Sequence, residues 1–242
     1  MIELKINRLS AFLGRPVPFN GVNIYSPSIE EIERIGELEY RVNLILATFD
    51  KEKIVMNLLG VSEEAYMQLS GVDDYVVLVS EQRIAQYIAK ALSFFIKEEV
   101  IYQEHQQSFC LGELNFLHSG NYKDFIAIIR QLNGTEEEEA PALTFKSERA
   151  KLMLQKINKL KNSAKGKNND YLELKDILSI LCCVEGNAIS IFNVGQLTVY
   201  QVYEQFERLS IKHRRDTLLP VWANGYLQEG EKLPEIIAKT KL

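Results

Sequence analysis

The stretch that decides the fold is DDYVVLVSEQRIAQYIAKALSFFI, which spans residues 73–96. Its large apolar residues recur every three or four positions, as on the buried face of a helix. They are Val76, Val79, Ile84, Tyr87, Ile88, Leu92 and Phe95. Asp73 or Asp74 can cap this helix, because acidic residues favour its positive N-terminal end. We therefore predict one long helix from Tyr75 to about Ile96, at the centre of the core.

The N-terminal 27 residues carry a different pattern. Glycines and prolines punctuate this segment, at Gly14, Pro16, Pro18, Gly21 and Pro27. This density of helix breakers predicts that no helix forms there. Apolar and polar residues alternate from Val17 to Tyr25 around Asn20-Gly21, a pair that is favoured in tight hairpin turns. We predict two small strands that meet at this pair.

Helical patterns occupy most of the remaining chain. Ser28 and Glu31 have the spacing of a capping box before an apolar series, which predicts a helix over 29–47. Asn121 is the predicted cap of a helix over 122–132. Further helices are predicted at 50–59, 62–69, 171–183, 197–211, 217–223 and 233–238. A weak alternation within 100–116 allows two short strands. The predicted fold class is mainly α: a helical domain with a small N-terminal β-hairpin and room for a second short hairpin.

A change of composition divides the chain. Residues 134–169 begin with the acidic run 136–139, continue through an amphipathic helical pattern at 147–161 and end in a polar segment that contains glycine. Such a segment is typical of a solvated linker. We predict a mostly helical N-terminal region with a β lead at 1–133, a charged flexible linker with an amphipathic helix at 134–169, and a helical C-terminal region at 170–242.

The overall charge argues against a general attraction to polyanions. The 242 residues carry a formal net charge of −5 and are 46% hydrophobic, which suits a globular domain with a filled core. Basic clusters at 151–167 and 212–215 can attract phosphates locally, but few aromatic residues lie among them to stack on bases. We expect no nucleic-acid partner. The charged middle can also bridge copies of the chain, so self-association stays open.

No segment of the sequence has the pattern of a signal peptide or a membrane span. Residues 1–6 are charged and lack an uninterrupted apolar run. The longest apolar stretches, near 75–79 and 91–96, are far shorter than a membrane helix. We expect a soluble intracellular protein without membrane association.

The cysteines predict neither a disulfide framework nor a metal site. Cys182 and Cys183 are adjacent in an apolar run, so we expect them to be buried, reduced thiols. The histidines of the chain show no metal-ligand spacing to the cysteines. We therefore predict no metal site and no cofactor.

The sequence contains no recognisable catalytic motif. It lacks a Walker loop, a dinucleotide-binding fingerprint, a nucleophile elbow and a metalloprotease histidine pair. His118 precedes Ser119, but residues adjacent in sequence rarely point at each other, and His105 and His213 lie in polar or basic runs. The acidic pair at 73–74 is explained by helix capping. We predict that the protein is not an enzyme.

Aromatic residues near the C-terminus are the best candidates for protein binding, because exposed aromatic side chains are effective interface anchors. The candidates are Tyr200, Tyr203, Phe206, Trp222 and Tyr226. The first three share one stripe of a predicted helix, where core packing is the competing interpretation. The last two lie in a short end segment, where both interpretations stay open.

Three segments of the chain resemble a known family. They are GRPVPFNGVNIYSP at 14–27, IEEIERIGELEY at 29–40 and ISIFNVGQLTVYQVYEQFERL at 189–209. The first two form a short extended lead, a proline and then a helix, and the third adds a late block of packing residues. Together they are similar to the tail assembly chaperones of Firmicutes phages and prophages, which are encoded between the tail tube and tape measure genes.

The resemblance implies a function in phage tail morphogenesis. It implies a protein in the cytoplasm of an infected or lysogenic bacterial host that binds the tape measure protein, the tail tube protein or both. It brings no catalytic residues, and the segment 134–169 matches nothing in the family. Two other hypotheses stay open: a structural component kept in the tail or baseplate of the virion, and a phage effector that binds a host defence protein.

Overall fold

The computed structural model describes residues 6–69, 71–135, 172–226 and 232–240. The predicted mainly α fold with small sheets is confirmed. The α-helices are α1 Arg8–Phe12, α2 Ile29–Ile35, α3 Glu37–Ala47, α4 Glu63–Met67, α5 Asp74–Val79, α6 Gln82–Ile96, α7 Tyr122–Leu132, α8 Leu174–Cys183 and α9 Val199–Ala223. A π-helix covers Lys53–Leu58, and 3₁₀ turns cover Glu104–Gln106 and Val194–Gln196. The strands are β1 Val17–Phe19, β2 Val22–Ile24, β3 Ile101–Gln103, β4 Ser108–Leu111 and β5 Leu114–Leu117.

The chain divides into two compact units. Met1–Thr135 and Phe192–Leu242 form the first, and Glu136–Ile191 form the second. The predicted acidic run at 136–139, the amphipathic helix at 147–161 and the basic cluster at 151–167 lie outside the described residues. In the second unit the described residues begin at 172 and contain helix α8. Cys182 is half-buried and Cys183 is exposed at the end of α8, so the predicted burial of Cys183 is wrong.

The predicted N-terminal hairpin is confirmed. Strands β1 and β2 pair antiparallel, and the turn residues Asn20 and Gly21 have φ angles of 44° and 86°. Positive φ at both central residues is the signature of the type I′ turn, which matches the twist of the strands. Val22 and Ile24 are buried, which gives the hairpin one face in the core.

Helix α1 contradicts the prediction that residues 1–27 hold no helix. The breakers begin only at Gly14, and α1 ends before them, at Phe12. Its first turn is stabilised by the side chain of Asn7, which accepts hydrogen bonds from the amides of Leu9 and Ser10. A short polar side chain in this position satisfies amides that have no partner within the helix.

The predicted helix over 29–47 forms as two helices. Its capping box is confirmed: the Glu31 amide donates to Ser28 Oγ at 3.2 Å, and the Ser28 amide donates to Glu31 Oε2 at 2.8 Å. The helix is interrupted at Gly36, whose φ of 89° lies outside the helical region. Glycine adopts this angle without a steric penalty, so the chain changes direction there and restarts as α3.

The stretch at 73–96 also forms two helices, and the prediction of one helix is wrong there. Asp73 caps α5 by accepting a hydrogen bond from the amide of Tyr75 at 3.0 Å. Glu81 is extended, which separates α5 from α6. The predicted central position is correct, because Ile88, Leu92 and Phe95 are fully buried. Helix α6 packs against α3 and also contacts strand β3, which follows it in sequence.

A cluster of aromatic rings fills the core beside α5. Phe49 stacks on Tyr75 with a centroid distance of 5.5 Å, and Phe109 and Tyr122 meet Phe49 edge to face at 5.8 Å each. Such offset and perpendicular arrangements suit the charge distribution of aromatic rings. Phe49 has a positive φ of 49°, so this buried ring is held on a strained backbone.

Residues 101–117 form three strands instead of the two that the alternation allowed. The sheet has the antiparallel order β3-β4-β5, with an irregular register between Phe109 and Cys110. Helix α7 follows with the predicted bounds and with Asn121 at the predicted N-cap position. The side chain of Asn121 makes no capping bond and instead accepts a hydrogen bond from the His118 amide at 2.8 Å.

The first unit is closed by the start of α9. The amide of Ile29 donates to Leu197 O at 3.0 Å, and the amide of Val199 donates to Pro27 O at 2.9 Å. Thr198 forms a capping box with Gln201 and so fixes where the helix begins. The pairing attaches the second half of the sequence directly to the residues that follow the N-terminal hairpin.

Helix α9 differs from the prediction of two separate helices at 197–211 and 217–223. It is continuous over 25 residues and includes Pro220 near its C-terminal end. The predicted helix at 233–238 is also wrong, since the described residues 232–240 contain no helix.

Candidate protein-binding surface

The five aromatic candidates separate into an inner and an outer group along α9 and its end. Tyr200 is buried, with 1% of its surface exposed, and Tyr203 and Phe206 are half-buried. Trp222 and Tyr226 are 55% and 78% exposed. The structure therefore does not bring all five together on one surface. Only the outer pair presents most of its aromatic area to solvent.

Tyr200 is a core residue of the first unit. Its amide donates to Ser26 Oγ at 3.1 Å, and its hydroxyl is hydrogen-bonded to Arg8. Burial raises the pKa of the Tyr200 phenol, and the neighbouring Arg8 opposes that rise only in part. Tyr200 thus helps to attach α1 and the N-terminal segment to α9.

Tyr203 packs against the end of α7. A Cβ atom on Gly134 would lie 2.6 Å from Cδ2 of Tyr203, so the ring lies directly on the backbone there. Gly134 has a φ of 63°, which ends α7 in the left-handed conformation. Burial raises the pKa of the Tyr203 phenol. The contact shows that Tyr203 packs within the first unit.

The outer half of α9 is largely uncovered. Leu219, Val221 and Trp222 are exposed on its last turns, and Tyr226 follows the helix. We call these four residues the outer apolar patch. Lys212, His213 and Arg214 are exposed one to two turns earlier, and the lysine and the arginine give the same half of the helix positive charge. An apolar patch beside a charged rim is typical of a protein-binding surface.

Sequence reasoning identified Trp222 and Tyr226 but missed Leu219 and Val221. The signal was present, because LLPVW at 218–222 is a run of apolar residues around a proline. The spacing predicts a short separate helix there, and the exposure of a helix depends on which other segments pack against it. The burial of Tyr200 was equally hidden, since it depends on Ser26, far away in the sequence.

The segment 232–240 runs antiparallel to α9 and was not anticipated as an extended element. Arg215 Nη1 donates to Pro234 O at 2.6 Å, and Arg208 Nη1 donates to Ala238 O at 2.6 Å. Thr240 is buried near the start of α9, where its hydroxyl donates to Glu204 Oε1 at 3.0 Å. Later residues of the segment therefore meet earlier turns of the helix. We call residues 232–240 the C-terminal strap.

Several of the polar residues considered for catalysis form hydrogen bonds or ion pairs within the protein. Asp73 accepts a hydrogen bond from the Tyr122 hydroxyl at 2.8 Å, and Asp74 forms an ion pair with Lys51 at 2.9 Å. The ring of His118 accepts a hydrogen bond from the Gly120 amide at 3.1 Å, which closes a local turn. His105 and His213 are exposed. Asp73, Asp74 and His118 thus each have a structural partner.

The described part of the chain contains neither a candidate metal site nor a candidate membrane-spanning helix. Residues 6–69, 71–135, 172–226 and 232–240 hold no group of three or more His, Cys, Asp or Glu side chains arranged to bind a metal ion. Among the same residues, no helix combines the length and the apolar character that crossing a bilayer requires.

A known protein family matches the C-terminal third of the chain. Residues 164–240 match the family model of the YomV second domain, which is a phage-associated family of the Bacillus SPbeta prophage type. The matched range includes α8, α9, the outer apolar patch and the C-terminal strap. No curated protein and no solved structure matches the chain. The C-terminal part of this chain, with its candidate binding surface, is therefore similar to a phage-associated domain.

Proposed function

We propose that the protein is a phage tail assembly chaperone-like protein that binds the tape measure protein, the tail tube protein or both. The observation that carries this proposal is the exposure of Trp222 and Tyr226 within the range that is similar to a phage-associated domain. Large exposed aromatic side chains concentrate binding free energy at protein interfaces. The likeness of residues 14–40 and 189–209 to tail assembly chaperones supports the same function.

The outer half of α9 suits a helical client. Leu219 and Trp222 are three residues apart within the helix, so they lie on one apolar face, and Tyr226 adds an exposed ring just beyond the helix end. An amphipathic client helix can lay its own apolar face along such a stripe. The exposed basic residues Lys212 and Arg214 favour a client with acidic residues beside that face. This activity needs no reaction centre, metal or cofactor, and we expect the protein to act in the cytoplasm of the bacterial host.

A pull-down from phage-producing cells tests the proposal. Tagged wild-type protein should recover tape measure or tail tube protein from the lysate, and mass spectrometry should not find the bait in purified virions. A Trp222→Ala/Tyr226→Ala double variant should lose the client at unchanged helix content. Tyr87→Ala is the matched control, since Tyr87 is 62% exposed on α6, in another part of the same unit.

The other outcomes each contradict the chaperone proposal. Bait retained in purified virions would identify a structural tail or baseplate component. Recovery of a host defence protein without any tail protein would identify an effector. Recovery of nucleic acid that is lost when Lys212 and Arg214 are replaced by Ser would show that the basic residues, and not the aromatic ones, carry the binding. Equal recovery by the double variant and the Tyr87→Ala control would move the client site away from α9.

A further inference from the structure

The C-terminal strap is bound mainly through its backbone. The guanidinium groups of Arg8, Arg208 and Arg215 donate to the carbonyl oxygens of Thr240, Ala238 and Pro234, respectively, at 3.1, 2.6 and 2.6 Å. Contacts to carbonyl oxygens are available to any extended segment, whatever its side chains are. We call the surface formed by Arg8, Arg208 and Arg215 the channel. Most of its hydrogen bonds to the strap depend on the extended backbone and not on the strap sequence.

One side chain of the strap is recognised specifically. The hydroxyl of Thr240 accepts a hydrogen bond from Arg8 and donates one to Glu204 Oε1 at 3.0 Å. Both Thr240 and Glu204 are buried, and Arg208 lies 3.7 Å from the same carboxylate oxygen. Burial of this carboxylate favours a hydrogen-bond donor beside it, and the threonine hydroxyl provides one. The strap sequence is therefore the natural occupant of the channel.

The two isoleucines of the strap contribute little to its binding. Ile237 is 91% exposed and Ile236 is 47% exposed. The outer apolar patch on the last turns of α9 is uncovered as well. Burial of these exposed isoleucine and tryptophan side chains against a second surface would stabilise the protein. When the strap folds back on its own chain, these side chains stay exposed and this stabilisation is absent.

We propose that two copies of the protein exchange their C-terminal straps, so that residues 232–240 of one copy fill the channel of α1 and α9 in the other. The occupant is known to fit, because the same nine residues fill the same channel within one chain. The exchange preserves every arginine and threonine contact and adds new ones between the arms. It does not depend on the proposed chaperone function.

The connection between α9 and the strap limits the geometry of such a dimer. Gly225 has a φ of 74° and lies just after the helix, where the chain direction changes. From Tyr226 to Lys232 the chain can reach about 20 Å when extended, at ~3.4 Å per residue. The outer ends of the two α9 helices must then lie close together, with the helices antiparallel about a two-fold axis. Trp222 and Tyr226 of both copies then lie near that axis, so the exchanged dimer and a client compete for the outer apolar patch.

The length of the connection controls the exchange. A connection that is too short to reverse cannot return the strap to its own helix but can still reach a second copy. Deletion of residues 228–230 leaves a reach of about 10 Å, which favours exchange strongly. Insertion of a flexible Gly-Ser segment at the same place favours the closed monomer, because a longer connection lets the strap fold back onto its own helix without strain.

Light scattering coupled to size exclusion tests the proposal on the full chain. The wild-type mass should double as the protein concentration rises, and the 228–230 deletion should be dimeric throughout. The Gly-Ser insertion and a chain truncated after Tyr226 should both be monomeric. Monomers of both the wild type and the deletion variant would overturn the proposal. A dimer that persists after truncation would also overturn it, since another surface would then hold the copies together.

A disulfide assay keeps the test valid if the truncated chain does not fold. One copy carries Arg208→Cys and a differently tagged copy carries Ala238→Cys, both in a Cys182→Ser/Cys183→Ser background. Exchange predicts a covalent heterodimer after mild oxidation. The control pair is His213→Cys with Ala238→Cys, because position 213 lies on another side of α9. Heterodimer yields no higher than the control would contradict strap exchange.

Discussion

The side-chain oxygen of Ser26 accepts a hydrogen bond from the backbone amide of Tyr200 at 3.1 Å. The same hydroxyl donates to the carbonyl oxygen of Leu132 at 2.8 Å. One small side chain thus connects the segment after the hairpin, the end of α7 and the start of α9. These three parts are far apart in sequence, and their meeting point closes the first unit.

Replacement of Ser26 by alanine should reduce the free energy of unfolding by about 1–3 kcal/mol, because it leaves a carbonyl and an amide without their partner. Urea denaturation measures the change. Ser210→Ala is the matched control, since the Ser210 hydroxyl bonds only within its own helix and is exposed. Its effect should stay within about 0.5 kcal/mol. Equal effects of the two variants would mean that the closure contributes little stability.

Gly134→Ala should destabilise the protein more than Gly60→Ala does. Both glycines have positive φ, 63° and 69°, so each alanine carries a backbone cost of about 1 kcal/mol. A Cβ on Gly134 also meets the Tyr203 ring at 2.6 Å, whereas nothing lies within 4 Å of a Cβ on Gly60. Overpacking should add roughly 1–3 kcal/mol at position 134. Thermal unfolding of the two variants compares them directly.

Lys51→Met should destabilise the fold, although lysine is usually a surface residue. The Lys51 ammonium donates to the carbonyl oxygens of Leu69 and Val72 and pairs with Asp74, while only 5% of its side chain is exposed. Loss of these hydrogen bonds should cost about 1–3 kcal/mol. Lys53→Met is the control, because 56% of the Lys53 side chain is exposed. A larger loss of stability at position 53 would show that the hydrogen bonds of Lys51 do not stabilise the fold.

The protein should lose stability in alkaline solution as buried tyrosines are forced to ionise. Burial raises the pKa of the phenols of Tyr40 and Tyr75 above the ordinary value of about 10. The unfolded chain then releases these protons first, so the stabilisation is complete below pH 10 and is lost as the pH rises beyond it. Urea denaturation between pH 8 and 11 should give a shallower decline for Tyr40→Phe than for the wild type. Identical declines would show that Tyr40 does not contribute.

Trp222 is the single tryptophan of the chain, so its fluorescence reports on the outer apolar patch alone. With 55% of its surface exposed, it should emit like indole in water and be quenched readily by acrylamide. A client or a second copy that covers the patch should shift the emission to the blue and protect it from quenching. A blue emission of the dilute monomer would contradict the exposure of this side chain.

Local patterns predicted local structure well. The Asn20-Gly21 turn and the capping box of Ser28 and Glu31 are both present, because each depends on residues that are neighbours in sequence. The central position of α6 followed from the density of apolar residues along it. These features are fixed by backbone angles and helix periodicity, which the sequence carries directly.

Breaks within helices and contacts between distant segments were harder to predict from the sequence. A single glycine at position 36 and the extended Glu81 divide two predicted helices, and nothing in the apolar spacing indicates those breaks. Of the aromatic candidates, Tyr200 is buried through its contact with Ser26, whereas Trp222 is exposed because the described residues leave the end of α9 uncovered. Exposure depends on which distant segments pack on a helix, and one sequence does not contain that information.

The closure of the first unit by α9 has a consequence for synthesis on the ribosome. Residues up to Thr135 emerge first, but Ser26 and Gly134 receive their partners Tyr200 and Tyr203 only after about 65 further residues have been added. At translation speeds of about 5–20 residues per second, the early part waits roughly 3–13 seconds for its closing helix. The nascent chain therefore has an incomplete core during that interval, and the core of the first unit closes only after α9 has left the exit tunnel.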